Sequence, residues 1–96
     1  ARKYWIDAVD HMASLDLLAA DVDRVDLVRA MHVGFTGTME FWAHGELSTV
    51  GLRAQTRTVL ALVLLGTMRK KYQARLHEIL ALCRPDINDA SFGGLA

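Results

Sequence analysis

The sequence predicts an all-α fold, and three observations lead to that prediction. Ala, Leu, Arg and Met are abundant throughout the chain, and these residue types favour helices. The single proline, Pro85, lies near the C-terminal end, so none interrupts the helices before it. No stretch alternates polar and apolar side chains with the period of two that marks a half-buried strand. We expect a small bundle of three to four helices, completed by self-association.

Length and composition predict one domain that contacts further copies of itself. A chain of 96 residues is long enough for one hydrophobic core. We expect residues 1–96 to form a single helical domain with a loose C-terminal tail at 85–96. Apolar residues make up 52% of the chain, which is more than a small monomer needs. Homo-oligomerisation, most simply as a dimer, is therefore expected.

Charge and cysteine content bound the partners and the compartment. The formal net charge is zero, so no overall field attracts nucleic acid or an anionic membrane, and we expect no direct contact with either. The charges are nevertheless polarised, with six aspartates in residues 1–26 and mostly basic residues in 53–84. The only cysteine, Cys83, favours a reducing compartment, and the start of the chain lacks a signal-peptide pattern. A cytoplasmic protein is expected.

The first two helices follow from apolar spacing and capping residues. A helix from about residue 2 to about residue 18 is predicted by a set of side chains at helical spacing: Trp5, Ala8, Val9, Met12 and Leu15. Asp21 or Asp23 is placed to cap the next helix. Its apolar stripe comprises Leu27, Met31, Phe35, Thr38 and Trp42, and it is expected to end near Gly45. Gly34 and Gly37 lie inside it and mark either a close helix crossing or a break.

The third helix is predicted to begin at Ser48 or Thr49 and contains VLALVLL, residues 59–65. This run is apolar on all sides, which is typical of a helix central to a bundle or to a dimer interface. The predicted interface residues are Val59, Leu62, Val63 and Leu65. The run is too short to span a bilayer, which takes about 20 residues.

Residues after Gly66 show a further apolar stripe, formed by Met68, Tyr72, Leu76, Ile79 and Cys83. Gly66 and Thr67 either kink one helix or separate two, and the sequence leaves both alternatives open. Pro85 is expected to end the element. The basic residues opposite the stripe, Arg69, Lys70, Lys71 and Arg75, form a solvated face on this interpretation, because no nucleic-acid-binding motif accompanies them.

The segment MEFWAHGEL, residues 39–47, carries the side chains most typical of a site. His32, Thr36, Glu40 and His44 share one helix face, and Glu40 and His44 have the spacing of two metal ligands. A metal site needs three or four ligands, so we expect no metal there and no cofactor. Phe35 and Trp42 are the candidate ligand-binding residues, although core packing is the favoured role for Trp42. We expect Phe41 or Trp42 to face the core, and Gly45 to provide the left-handed cap.

Two family resemblances extend this reading. The run LDLLAADVDRVDLVRAMHVGFTGTMEFWAHGEL, followed later by LALVLLG, resembles the effector and dimerisation half of tetracycline-repressor-type (TetR) regulators, without their DNA-binding half. That resemblance implies a transcriptional regulator's self-associating module, which binds a small apolar ligand and pairs its last long helices with those of a second subunit.

The segments AADVDR, AHGEL, GLRAQTR and LHEILA are similar to pieces of carboxymuconolactone decarboxylases, an all-α family of cofactor-free enzymes. On that alternative, His77 would transfer a proton and Arg57 would bind a carboxylate. A small subunit of a larger assembly is a third alternative. The expected function is the TetR-like interaction and ligand-binding module, without enzymatic activity.

Overall fold

The computed structural model describes residues 2–87, and within that range the fold is all-α, as the sequence predicts. The helices are α1 (Arg2–Ser14), α2 (Arg24–Ala43), α3 (Thr49–Leu65) and α4 (Gln73–Cys83). Short 3₁₀ turns at Lys70–Tyr72 and Arg84–Asp86 flank α4. Of the tail predicted at 85–96, Pro85 and Asp86 belong to the second turn, and residues 88–96 lie outside the described range. No helix in residues 2–87 combines the length and apolar character that crossing a bilayer requires.

Each helix packs against the next one along the chain. Helix α1 contacts α2, α2 contacts α3, and α3 contacts α4, whereas α1 and α4 do not pack against each other within the described residues. Helices α2 and α3 therefore lie in the middle of the bundle, each between two neighbouring helices.

Helix α1 ends earlier than the predicted residue 18. Asp16 adopts a left-handed conformation with φ of 59°, and the Leu17 amide donates to the Met12 carbonyl at 3.1 Å. This pattern is a Schellman-type helix end. Aspartate tolerates the left-handed region better than most residues, so the chain reverses without a glycine. Leu15, predicted on the apolar stripe, is 55% exposed.

Both predicted ends of α2 are confirmed. The Asp23 carboxylate accepts hydrogen bonds from the amides of Val25 at 2.8 Å and Asp26 at 3.0 Å. At the other end, Gly45 has φ of 76°. The Gly45 amide donates to the Trp42 carbonyl at 3.0 Å, and the Glu46 amide donates to the Phe41 carbonyl at 2.9 Å. MEFWAHGEL is therefore chiefly a capped helix end.

Gly34 marks a close helix crossing, because α2 continues unbroken through Gly34 and Gly37. A Cβ built at Gly34 would overlap the Cγ1 methyl of Val59 on α3. Helix α3 begins after Ser48, whose hydroxyl accepts a hydrogen bond from the Gly51 amide at 2.9 Å. Gly66 caps its C-terminal end, so residues 50–82 form two helices.

The hydrophobic core has two parts. The buried residues of the first part come from α1, α2 and the segment between them: Trp5, Val9, Leu18, Leu27 and Met31. The second part lies between α3 and α4, where Ala54, Ala61, Leu76 and Cys83 are buried. The Leu76 and Cys83 positions confirm the apolar stripe predicted for α4. An isolated antiparallel β-bridge between Leu18 and Met68 joins the two interhelical segments.

Candidate ligand-binding clefts

The first candidate site is a cleft of about 520 Å³ between α1, α2 and α3. We call it the aromatic cleft. Its walls are Tyr4 and Trp5 from α1, His32, Phe35, Thr36 and Met39 from α2, and Thr56 and Leu60 from α3. Apolar and aromatic groups thus predominate, and few polar groups face the space, which is typical of a small-molecule pocket.

Aromatic packing shapes one wall of this cleft. The rings of Trp5 and Phe35 lie 5.5 Å apart and are tilted by 55°. Tyr4 meets Trp5 edge to face at 5.1 Å. Trp5 is only 6% exposed, so the core holds its ring in place. The Thr56 hydroxyl donates to the Leu52 carbonyl at 2.8 Å. Other lining residues with polar side-chain groups include Tyr4, His32 and Thr36.

In the part of the chain that the structure describes, no Asp, Glu, Lys or Arg side chain lines the aromatic cleft. At the start of α1, Asp7 raises the pKa of Lys3, first through a hydrogen bond of 2.7 Å and then through its charge. Lys3 is exposed and is not part of the cleft wall.

The two predicted ligand-binding residues have different positions. Phe35 lines the aromatic cleft, whereas Trp42 does not. Trp42 is 39% exposed and Phe41 is 42% exposed, so the prediction that one of them faces the core is wrong. Tyr4 and Trp5, near the start of α1, lie beside Phe35 and Met39. Phe41 and Trp42, in the last turn of α2, lie outside this cleft.

The two possible metal ligands on the polar face of α2 are solvated. Glu40 and His44 are both exposed. Among residues 2–87, no group of three His, Cys, Asp or Glu side chains is placed to hold a metal ion. The pair remains two solvated side chains near a helix end.

A second cleft, of about 410 Å³, lies between α3 and α4. We call it the arginine cleft, because its charged lining residues are Arg57 and Arg75. Apolar side chains from both helices form the remainder: Leu60, Ala61, Leu64, Leu76, Ile79, Leu82 and Cys83. His77 is exposed and is not among the lining residues, so Arg57 and His77 do not share this cleft.

The predicted interface residues are only partly available to another subunit. Val63 packs against the hydrophobic core, and Val59 packs against Gly34. Val59, Val63 and Leu65 are all half-buried. Leu62 is 55% exposed, and on the neighbouring helix Val33 is 65% exposed. Leu62 is thus the predicted interface residue most open to a partner.

Leu60 is a site residue that the sequence pattern did not indicate. It lines the aromatic cleft and the arginine cleft, whereas the sequence pattern predicts packing for VLALVLL as a whole. In sequence, Leu60 is one apolar residue among seven, and its spacing does not distinguish it from its neighbours.

These features define a small all-α module with two adjacent open clefts that share one wall residue. Comparison of the chain with protein-family models, with curated proteins and with solved structures gives no match. The candidate function therefore rests on the clefts and the exposed apolar surface.

Proposed function

We propose that this chain is a self-associating helical module that binds a small, largely apolar molecule in the aromatic cleft. The observation that carries the proposal is the aromatic cleft itself, with Trp5 and Phe35 packed in one wall. Its volume of about 520 Å³ lies within the range of roughly 300–1,000 Å³ found for ligand pockets. The TetR-like segments noted above imply the same role for the chain.

The chemistry of the walls specifies the ligand class. Aromatic and aliphatic side chains favour a flat or branched apolar body. The half-buried His32 and the Thr36 hydroxyl provide hydrogen bonds at the edge. A neutral aromatic compound with one polar substituent fits this combination best.

Tryptophan fluorescence tests the ligand proposal. The chain has two tryptophans, and a Trp42→Phe background leaves Trp5 as the reporter in the cleft. We expect the neutral dye N-phenyl-1-naphthylamine to bind saturably and to accept energy from Trp5. Met39→Asp should weaken dye binding, because it places a charge in an apolar wall.

The matched control is Val25→Asp on the same helix, at a residue that is 64% exposed and outside the cleft. It should leave dye affinity unchanged. Absence of saturable binding, or an equal loss in both variants, would contradict the proposed site.

Self-association is proposed through Leu62, the most exposed of the predicted interface residues, together with Val33. Val33 precedes Gly34 and Leu62 follows Val59 by three residues, and Gly34 meets Val59 where α2 crosses α3. Two exposed branched side chains at a close crossing favour packing against a second copy.

Sedimentation at tens of micromolar should give a dimer, and Leu62→Asp should give a folded monomer. Leu82→Asp on α4, where Leu82 is 65% exposed, is the control; a monomeric wild-type protein would refute the proposal.

The decarboxylase alternative receives less support. It requires Arg57 and His77 at one substrate, and His77 lies outside the cleft that Arg57 lines. Turnover of a lactone acid that is lost in His77→Ala, with folding unchanged, would favour the alternative again.

A further inference from the structure

We propose that the arginine cleft binds an amphipathic monocarboxylate, with the carboxylate at Arg57 and the apolar tail between α3 and α4. This site borders the aromatic cleft, with Leu60 in the walls of both, and does not depend on the function proposed there. The ligand class follows from where the charged and apolar lining residues lie along the two helices.

The arginines lie toward opposite ends of the cleft. A smaller neighbouring cavity is bounded by Arg53, Ala54 and Arg57 from α3 and by Leu82, Cys83 and Asp86 from the end of α4 and the turn after it. The start of α3 thus faces the end of α4. Arg57 therefore belongs to the end near Leu82, whereas Arg75, near the start of α4, belongs to the end near Leu64.

Only one of these guanidinium groups is available to an anion without competition. Arg75 forms an ion pair with Glu78 at 2.9 Å. Within residues 2–87, no carboxylate lies within ion-pair distance of Arg57. Its end of the cleft also contains Arg53 and Asp86, so the formal charges there sum to a net positive charge. A carboxylate matches the fork of N–H donors on Arg57.

The rest of the cleft favours an apolar tail. From Arg57 toward Arg75 the walls are aliphatic on both sides, with Leu60, Ala61 and Leu64 opposite Leu76, Ile79 and Leu82. A volume of about 410 Å³ accommodates a short alkyl or aryl-alkyl chain. A free inorganic anion would leave this surface uncovered, and a neutral lipid would leave Arg57 without a partner. A medium-chain carboxylic acid provides a carboxylate for Arg57 and an apolar tail for the aliphatic walls.

Calorimetric titration with octanoate and its neutral isostere octanamide tests the proposal. Octanoate should bind the wild-type protein at least about tenfold more tightly than octanamide, because a hydrogen-bonded charge contributes about that much. Arg57→Gln should remove this preference, and Arg57→Lys should restore part of it. Ile79→Asn should weaken both ligands. Arg29→Gln removes the same charge from an exposed position on α2 and should leave octanoate affinity unchanged.

Two further measurements separate this site from the aromatic cleft. Met39→Asp should leave octanoate binding intact, and octanoate should not displace N-phenyl-1-naphthylamine. Equal affinity for octanoate and octanamide, an unchanged octanoate Kd in Arg57→Gln, or competition between octanoate and the dye would overturn the assignment.

Discussion

Arg69 donates two hydrogen bonds to Asp16, one from Nη2 to the carboxylate at 2.7 Å and one from Nε to the backbone carbonyl at 3.0 Å. Asp16 is the left-handed residue that ends α1. Arg69 thus connects the reversal after α1 to the segment before α4. The Asp16 side chain is 81% exposed and the Arg69 side chain is 42% exposed, so water screens the attraction between their charges. The hydrogen bond to the backbone carbonyl does not depend on the carboxylate.

Substitutions at these two positions should therefore have unequal effects. Arg69→Gln should lower the free energy of unfolding by about 1 kcal/mol, because both hydrogen bonds are lost. Asp16→Asn retains the backbone carbonyl and the tolerance of a positive φ, so it should cost no more than about 0.5 kcal/mol. Urea unfolding of the two single variants and the double variant measures the coupling. Equal losses in the two single variants would contradict the role given to the carbonyl.

Gly45 and Gly37 should respond in opposite directions to the same substitution. Gly45→Ala should cost about 1–2 kcal/mol, because its φ of 76° is unfavourable for a side chain. Gly37 lies within α2, and a Cβ there would meet no heavy atom within 4 Å. Gly37→Ala should therefore stabilise the protein by up to about 1 kcal/mol. Thermal unfolding of both variants gives the comparison, and the same sign for both would refute it.

Gly34→Ala tests the crossing of α2 and α3. The new methyl group would overlap Val59, so we expect a loss of about 1–3 kcal/mol. Shortening the neighbour should relieve the overlap, and Gly34→Ala with Val59→Ala should be more stable than the sum of the two single losses predicts. If the two losses in unfolding free energy simply add in chemical denaturation, α2 and α3 move apart without cost to accommodate the new methyl group.

The two tryptophans should contribute differently to stability. Trp5 is 6% exposed and packs against Phe35, so Trp5→Ala should cost about 3–5 kcal/mol. Trp42 is 39% exposed, and Trp42→Ala should cost about 1 kcal/mol or less. Chemical denaturation followed by far-ultraviolet circular dichroism measures both without relying on tryptophan emission. A larger loss for Trp42 would place it in the core after all.

Local chemistry made much of the fold predictable from sequence. Asp23, Ser48 and Gly45 act as caps where the pattern indicated them, because capping depends on a few adjacent residues. The apolar stripes also predicted the buried positions Leu27, Met31 and Leu76. Each of these features depends on the residues of a single helix and its ends.

The remaining features depend on contacts between segments that are distant in sequence. The early end of α1 depends on Asp16, a residue whose left-handed conformation has a weak sequence signal. The exposure of Trp42 depends on which segments pack against the end of α2. Both clefts are lined by residues from more than one helix, so no single helix pattern corresponds to them. The sequence predicts Phe35 as a ligand-binding residue. Its neighbours in the cleft, Tyr4 and Met39, are identified only from the structure.

The backbone bridge between the two interhelical segments also provides a local probe of motion in solution. The Ala19 amide donates to the Thr67 carbonyl at 2.8 Å, and the Arg69 amide donates to the Leu17 carbonyl at 3.0 Å. Both amides lie outside the helices, where hydrogen exchange is ordinarily fast, yet both are hydrogen-bonded across about fifty residues of chain. Slow deuterium uptake at these two sites would report how often the segment after α1 separates from the segment before α4. That separation is distinct from the fraying of any helix.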